Sequence, residues 1–301
     1  MKVGFIGTGN MGNPMANNIL SKGHELVIHD VRREQAENLL QAGATWANSA
    51  REVAEACTVV LTSLPTPGIV EAVYLGEGGL LAGAQKGSVL IDLSTNSPTV
   101  IKRIAALAGQ QGVRVLDGPV SGGTRGARRA TLAVMVGGDK ATFDEVKPIL
   151  DCIGQNVFHV GDIGMGNVAK LVNNMIALTN MQIAYEALVL GTKAGMDPQA
   201  LVDVIRASSG NSFVMQQGMT PFVRRDWRPS FTIDLSAKDV GLAVALGREL
   251  KVPLVLGALA EQELIAAQGE GLGEKDITAM ITRIERAAGV EFRLPDTRGE
   301  D

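Results

Sequence analysis

The 301-residue chain has little of what disulfide-built, metal-built or nucleic-acid-binding modules depend on. Its two cysteines, Cys57 and Cys152, each sit in an apolar context. Two thiols make no disulfide framework, and such sparing use fits a reduced, cytoplasmic protein. The three histidines, His24, His29 and His159, are scattered, and no Cys/His pair has zinc-ligand spacing, so no metal is expected. Aromatic residues are 4% of the chain, too few for base-stacking platforms. There is no excess of positive charge: 28 basic residues face 32 acidic ones, and the net charge of −4 offers no general attraction to nucleic acid. Long apolar runs are missing as well. The uncharged stretch Leu171–Tyr185 is interrupted by Asn173, Asn174, Thr179, Asn180 and Gln182. A bilayer span needs about twenty mostly apolar residues, so this reads as a buried helix and no membrane partner is expected. The N-terminal Met-Lys-Val-Gly-Phe-Ile-Gly is too short an apolar stretch for a signal peptide.

What is present is a globular composition, 46% apolar and 20% charged, at a length that suggests about two domains. Short apolar runs alternate with helical stretches through the first half. Strands are expected at Lys2–Gly7, Glu25–Asp30, Thr58–Leu64, Ser88–Leu93, Arg114–Asp117, Thr131–Val136 and Val157–Val160. Most are near-continuous Val/Ile/Leu, the pattern of strands covered on both faces. Helices are expected at Met11–Ser21, Arg33–Gln41, Pro98–Gly109 and Lys140–Ile153, with Ser97 capping the third and Pro98 at its first position. Such alternation predicts a doubly wound parallel sheet.

After about Gly161 the strands stop. Gly164–Lys193 reads as one long helix, apolar on most faces, which predicts cover by a neighbouring domain or a partner subunit. Further helices are expected at Pro198–Ala207 behind Asp197 as cap, Ala237–Leu250, Leu254–Gln268 and Asp276–Ala287, with loops at Ser208–Ser212 and Arg224–Ser230. The polar tail from Pro295 to Asp301 is expected to fray. The chain thus divides into an α/β Rossmann domain over 1–162 and an all-helical domain over 163–301.

Gly7-Thr8-Gly9-Asn10-Met11-Gly12 follows the first strand and opens the first helix. Its glycines permit a tight turn, close approach of backbone to a pyrophosphate, and close packing of helix on strand. The helix N-terminus offers free N–H groups to phosphates. Asp30, ending the second strand about 20 residues on, completes the dinucleotide fingerprint. Its carboxylate suits the ribose hydroxyls of NAD and repels a 2′-phosphate, so NAD is expected over NADP. Arg32 and Arg33 either pair with such a phosphate or are solvated charges at a helix start. Leu64-Pro65 and Thr95 lie at the carboxyl ends of strands, where ligands of open α/β sheets sit, and are expected to border the cofactor.

Asp117-Gly118-Pro119-Val120-Ser121-Gly122-Gly123 ends another strand in a glycine-rich loop suited to gripping a carboxylate, or else in a plain hairpin turn. In Gly164-Met165-Gly166-Asn167-Val168-Ala169-Lys170-Leu171-Val172-Asn173-Asn174, Lys170 and Asn174 are four apart and project from one helix face. Lys170 stands immediately before the uncharged stretch Leu171–Tyr185.

These blocks, with Asp92–Pro98 and Ser236-Ala237-Lys238-Asp239-Val240, resemble the β-hydroxyacid dehydrogenase family in order along nearly the whole chain. The resemblance implies an NAD(P)-dependent enzyme that interconverts a small anionic 3-hydroxy acid and its semialdehyde. It implies Lys170 as catalytic lysine, Asn174 as its amide partner, Ser121-Gly122-Gly123 as the substrate-gripping loop, Thr95 beside the cofactor, and Lys238 near cofactor and substrate. It also implies a homodimer or homotetramer. Lysine is unperturbed at about 10.4 and charged at neutral pH; burial beside a positive nicotinamide would lower that value and let it act as a base. Phe231 and Asp239 line the pocket or serve as core and cap residues. Arg125, Arg128 and Arg129 mark a solvated turn or pair with a second anionic group on the substrate. The rival readings are an imine reductase, a phosphogluconate-type decarboxylating dehydrogenase, and a non-catalytic nucleotide-binding scaffold.

Overall fold

The computed structural model describes residues 1–296 and resolves into two compact units, Met1–Leu171 and one that starts at Val172. The first unit runs β1 (Lys2–Ile6), α1 (Gly12–Ser21), β2 (Glu25–His29), α2 (Glu37–Gln41), β3 (Thr45–Trp46), α3 (Ala50–Ala56), β4 (Val59–Thr62), α4 (Pro67–Leu75), α5 (Leu80–Gly83) and β5 (Val89–Asp92). It continues through α6 (Pro98–Gln110), β6 (Arg114–Asp117), β7 (Val120–Ser121), α7 (Gly123–Arg129), β8 (Leu132–Gly137), α8 (Lys140–Leu150) and β9 (Gly154–Gly161). These strands form one sheet in the order β3-β2-β1-β4-β5-β6-β8-β7, with β9 paired to β8.

From β3 to β6 every pairing is parallel, and the order reverses at β1 and β4, as in a dinucleotide-binding sheet. Two cores explain the continuous apolar strands. Successive side chains alternate between sheet faces. Val59 and Leu61 therefore join one core with Val3, Phe5 and Ile91, while Val60 joins the other with Ile6 and Leu90. Every residue of β4 and β5 is buried.

Four features of this unit differ from the expectation. β3 and β7 are two residues each, too short to show a period. β8 runs antiparallel to β6 and β7, so the sheet is mostly, not wholly, parallel. Residues 123–129 form α7 in place of a turn: Gly122 (φ 132°) and Gly123 (φ 61°) bend the chain into it, and Ala130 in the left-handed region ends it. Ser97 stands at the cap of α6, but its side chain makes no capping bond; its own N–H donates to Asn96 Oδ1 at 2.7 Å.

α9 (Met165–Lys193) contains the boundary between the units. The second unit continues with α10 (Pro198–Ala207), α11 (Phe213–Gln217), α12 (Thr220–Arg224), α13 (Ile233–Leu250), α14 (Val255–Gly269) and α15 (Ile281–Ala288). Asp197 caps α10 by accepting from the Ala200 N–H at 2.8 Å. Thr232 caps α13 one turn earlier than expected. α11 and α12 occupy the segment between the two expected loops. Asp276 first caps a 3₁₀ turn, Ile277–Met280, before α15 begins. Phe222 anchors the core, meeting Tyr185, Trp227 and Phe292 edge-on at 5.5, 5.7 and 5.5 Å. Of the tail expected to fray, residues 297–301 lie outside the described residues, while Asp296 lies 3.8 Å from Arg224.

Within the single chain α9 is covered on one side only. Leu178, Tyr185, Leu188 and Val189 are buried, but Val172, Ile176, Ile183 and Leu190 are 46–71% exposed. Among the described residues no helix is long and apolar enough to cross a membrane.

Candidate active site

The turn between β1 and α1 is shaped by what its glycines leave room for. Gly7 sits at φ 88°, and a Cβ there would lie 2.3 Å from the Ser63 carbonyl oxygen. A Cβ on Gly12 would lie 1.8 Å from the Gly7 carbonyl oxygen, so only glycine lets α1 start this close to β1. Gly9 is different. A Cβ there would meet nothing within 4 Å, so its backbone borders open space. Thr8 is buried, Asn10 exposed and Met11 packed partly against the core. Met11 at the cap of α1 supplies no side-chain acceptor, and within the first turn the Asn13 N–H donates to the Gly9 carbonyl at 2.9 Å. The turn therefore fits a dinucleotide pyrophosphate: backbone open to close approach at Gly9 and the positive end of a helix.

Asp30 turns out to brace this loop. Its Oδ2 accepts from the Thr8 backbone N–H at 2.6 Å and the Thr8 hydroxyl at 3.3 Å, and its Oδ1 accepts from the Arg32 N–H at 2.9 Å. A carboxylate has about four acceptor positions, so room remains for a ribose hydroxyl. Arg32 is exposed, whereas the Arg33 guanidinium lies 5.0 Å from the Trp46 ring centre.

The next two strand ends are linked. The Leu64 N–H donates to Ser94 Oγ at 2.8 Å, which fixes the half-buried Leu64 and exposed Pro65 to the loop carrying Thr95. Beneath that loop Asp92 is fully buried and accepts from Thr62 Oγ1 at 2.9 Å and Asn96 Nδ2 at 3.0 Å. Burial raises its pKa against the pull of these bonds. Asp117, its neighbour on β6, is also raised, first by burial and further by the charge of Asp92.

Ser121 ends β7, half-buried, with Gly122 and Gly123 exposed behind it. α7, which follows, lies against α1 through Asn18 Nδ2, which donates to the Ala127 carbonyl at 2.7 Å. Arg125, Arg128 and Arg129 are exposed, and none makes an ion pair among the described residues. Arg128 lines a cleft of about 490 Å³ with Thr8, Gly9, Asn10 and Asn13.

Lys170 is 8% exposed and is the only charged residue between Met165 and Tyr185. Asn174 follows one turn later on α9, equally buried. In the second unit its Nδ2 donates to Asp239 Oδ2 at 2.6 Å, and its Oδ1 accepts from Asn173 at 3.1 Å. Asp239 is 1% exposed, and its Oδ1 lies 2.9 Å from Lys238 Nζ. One carboxylate thus ties together two residues singled out by the sequence. Phe231 packs partly against the second-unit core. The sequence signal for Asp239 is an acid among Ser236, Ala237, Val240 and Ala243 on the buried face of α13.

Residues 2–161 match the family model described as the NAD binding domain of 6-phosphogluconate dehydrogenase. Residues 164–284 match the one described as NAD-binding of NADP-dependent 3-hydroxyisobutyrate dehydrogenase. The 2-(hydroxymethyl)glutarate dehydrogenase of Eubacterium barkeri is 40% identical over 291 residues, 96% of this chain and 97% of that protein. The chain belongs to the β-hydroxyacid dehydrogenase family. The 3-hydroxyisobutyrate dehydrogenase of Pseudomonas aeruginosa is 40% identical over 86% of this chain and 89% of its own. In structure, this β-hydroxyacid dehydrogenase matches the Mycobacterium tuberculosis 3-hydroxyisobutyrate dehydrogenase solved with L-serine at a TM-score of 0.86 and 34% identity, over 94% of this chain and 98% of the other.

Proposed function

We propose that this β-hydroxyacid dehydrogenase oxidises a small anionic 3-hydroxy acid to its semialdehyde, or runs the reverse reaction, with NAD and with Lys170 as general acid/base. The observation that carries the reading is Lys170 itself, a buried lysine alone in an uncharged stretch, one turn before an asparagine held by a buried carboxylate. Bound NAD supplies the hydride acceptor in oxidation and the donor in reduction. In oxidation the alcohol O–H proton passes to the Lys170 amine as the carbinol C–H bond breaks and the carbonyl forms. In reduction the Lys170 ammonium returns that proton and stabilises the developing alkoxide. Asn174 keeps one amide N–H beyond the bond to Asp239, enough to orient the same oxygen. The backbone of Ser121, Gly122 and Gly123 grips the substrate carboxylate. Lys238, held by Asp239, adds positive charge for cofactor and substrate. Gly7, Thr8, Gly9, Asn10, Met11 and Gly12 take the pyrophosphate, Asp30 and Arg32 the adenosine ribose, and Leu64, Pro65 and Thr95 border the nicotinamide side. The test is reduced-cofactor formation, read by absorbance, across 3-hydroxyisobutyrate, serine, glycerate and 2-(hydroxymethyl)glutarate. Turnover on 3-hydroxy acids supports the reading; turnover confined to imines or amines would replace it with an imine reductase. Lys170 and Asn174 being in place weighs against that rival and against a scaffold without chemistry.

The same reading assigns residues 1–162 to the cofactor and residues 163–301 to substrate and assembly. NAD is the preferred cofactor because the Asp30 charge stands where a 2′-phosphate would come. Catalytic efficiency with NAD is expected to exceed that with NADP by about tenfold or more, a difference of about 1.4 kcal/mol. Equal efficiency with both would remove the argument from Asp30. Cys57 and Cys152 are buried and free, and burial pushes the Cys57 thiol up to about 11, as suits inert thiols in a reducing cytoplasm.

The partner of the exposed α9 face is, in this proposal, a second copy of the chain. Val172, Ile176, Ile183 and Leu190, spaced by four and then seven residues, lie along one stripe of the helix, and Val255, Leu256 and Leu259 on α14 are 59–76% exposed. Sedimentation equilibrium is expected to give two or four times the chain mass, and Ile183→Asp to shift the particle toward monomer. A wild-type chain that sediments as a monomer at micromolar concentration contradicts this.

A further inference from the structure

The geometry points to Asp117 and Asn167 as positioning residues that hold the Lys170 turn of α9 to the loop carrying Thr95. The inference rests on the reading of Lys170 as acid/base. Asp92 and Asp117 stand side by side in parallel register at the carboxyl ends of β5 and β6, both fully buried. Asp117 Oδ1 accepts from the Gly164 N–H at 2.7 Å. Its Oδ2 accepts from the Asn167 backbone N–H at 2.7 Å and from Asn167 Nδ2 at 3.1 Å. These backbone donors belong to the entry of α9, where a helix leaves its own N–H groups without partners and presents its positive end.

A carboxylate alone would suffice for capping. Asn167 does more, because its Oδ1 accepts from the Asn96 backbone N–H at 2.7 Å, while Asn96 Nδ2 reaches back to Asp92 Oδ2 at 3.0 Å. The Ser94 N–H donates to Asp92 Oδ1 at 3.2 Å, and Ser94 Oγ holds the Leu64 N–H. Thr95 lies between Ser94 and Asn96. One buried bracket therefore runs from Leu64 through Ser94, Asp92, Asn96 and Asn167 to Asp117, all within the first unit. Asn167, its link on α9, stands three residues before Lys170.

The bracket has no slack. A Cβ on Gly166 would lie 2.2 Å from the Met135 carbonyl oxygen, and one on Gly137 would lie 2.5 Å from Asp117 Oδ1 and 2.7 Å from the Gly166 nitrogen. Backbone meets backbone where the first turn of α9 lies against β8, so the height and rotation of its first turns are fixed by this contact. A displacement of about 1 Å at a reacting group can cost about a hundredfold in rate.

The test is Asn167→Ala, with the milder Asn167→Ser and with Lys170→Met, in steady-state assays with ordinary and carbinol-deuterated substrate. Asn167→Ala is expected to bind NADH within about threefold of wild type, with little change in KM. Its kcat should fall about 10- to 100-fold, and its deuterium isotope effect on kcat should rise as the mispositioned chemical step becomes limiting. Asn167→Ser, which keeps a polar side chain too short to reach Asn96, is expected to fall between. If either variant folds and keeps wild-type kcat and isotope effect while melting earlier, Asn167 is a structural cap and the positioning role is overturned. If Lys170→Met keeps turnover, the reading of Lys170 has failed; if it is dead while the Asn167 variants are unimpaired, only the positioning inference has.

Discussion

Replacing Lys170 with methionine is expected to lower kcat by about a thousandfold while NADH still binds. General acid/base groups contribute roughly 10²–10⁴ in rate, and this lysine is also asked to stabilise alkoxide charge, so the loss belongs well above the lower end of that range. Methionine has nearly the length of lysine and no charge. The site is 8% exposed, so an apolar side chain of similar length suits it and the variant should stay folded. Stability and cofactor affinity kept, with turnover lost, is the signature of a group needed only in the reaction. Stopped assays that found near-wild-type turnover would remove Lys170 from the chemistry. Lys170→Arg is a useful companion, since it keeps charge but cannot give up a proton at working pH, and should recover little.

The second large effect separates two glycines of one loop. Gly12→Ala is expected to unfold or strongly destabilise the first unit, by about 3 kcal/mol, because its Cβ would sit 1.8 Å from the Gly7 carbonyl oxygen and the backbone must move. Gly9→Ala is expected to melt with the wild type, because its Cβ meets nothing within 4 Å. Yet Gly9 faces the space assigned to the pyrophosphate, so the same methyl should weaken NADH binding about a hundredfold or more. Calorimetric melting and NADH fluorescence titration on both variants read the two effects. A Gly9→Ala protein that binds NADH normally would place the pyrophosphate elsewhere.

Where the sequence sufficed, the reason was periodicity or a glycine. The apolar runs of β1, β4 and β5 and the punctuation at Gly7–Gly12 exposed the dinucleotide-binding sheet, because strands covered on both faces have no polar alternation to blur them. α10 was visible from Asp197 and Pro198 alone. What escaped detection was set by contacts distant in sequence. β3 and β7 are two-residue strands whose existence depends on their neighbours' edges. α7 reads as a basic turn until Gly122, Gly123 and Ala130 show the conformations that start and stop a helix. Asp30 looked like a ribose ligand and proved also to be a brace for Thr8, since its bonding depends on how the glycine loop folds back. Asp239 and Asn167 act through partners 65 and 71 residues away, beyond any local pattern.

The most direct measurement follows the hydrogen itself. The enzyme, NAD and a 3-hydroxy acid deuterated at its carbinol carbon are incubated, and the reduced cofactor is examined by mass spectrometry and proton NMR. One deuterium in the nicotinamide ring per semialdehyde formed, with both products forming about a thousandfold more slowly for Lys170→Met, is the result this account predicts. Reduced cofactor without deuterium, or no reduced cofactor from any 3-hydroxy acid despite intact NADH binding, would contradict it.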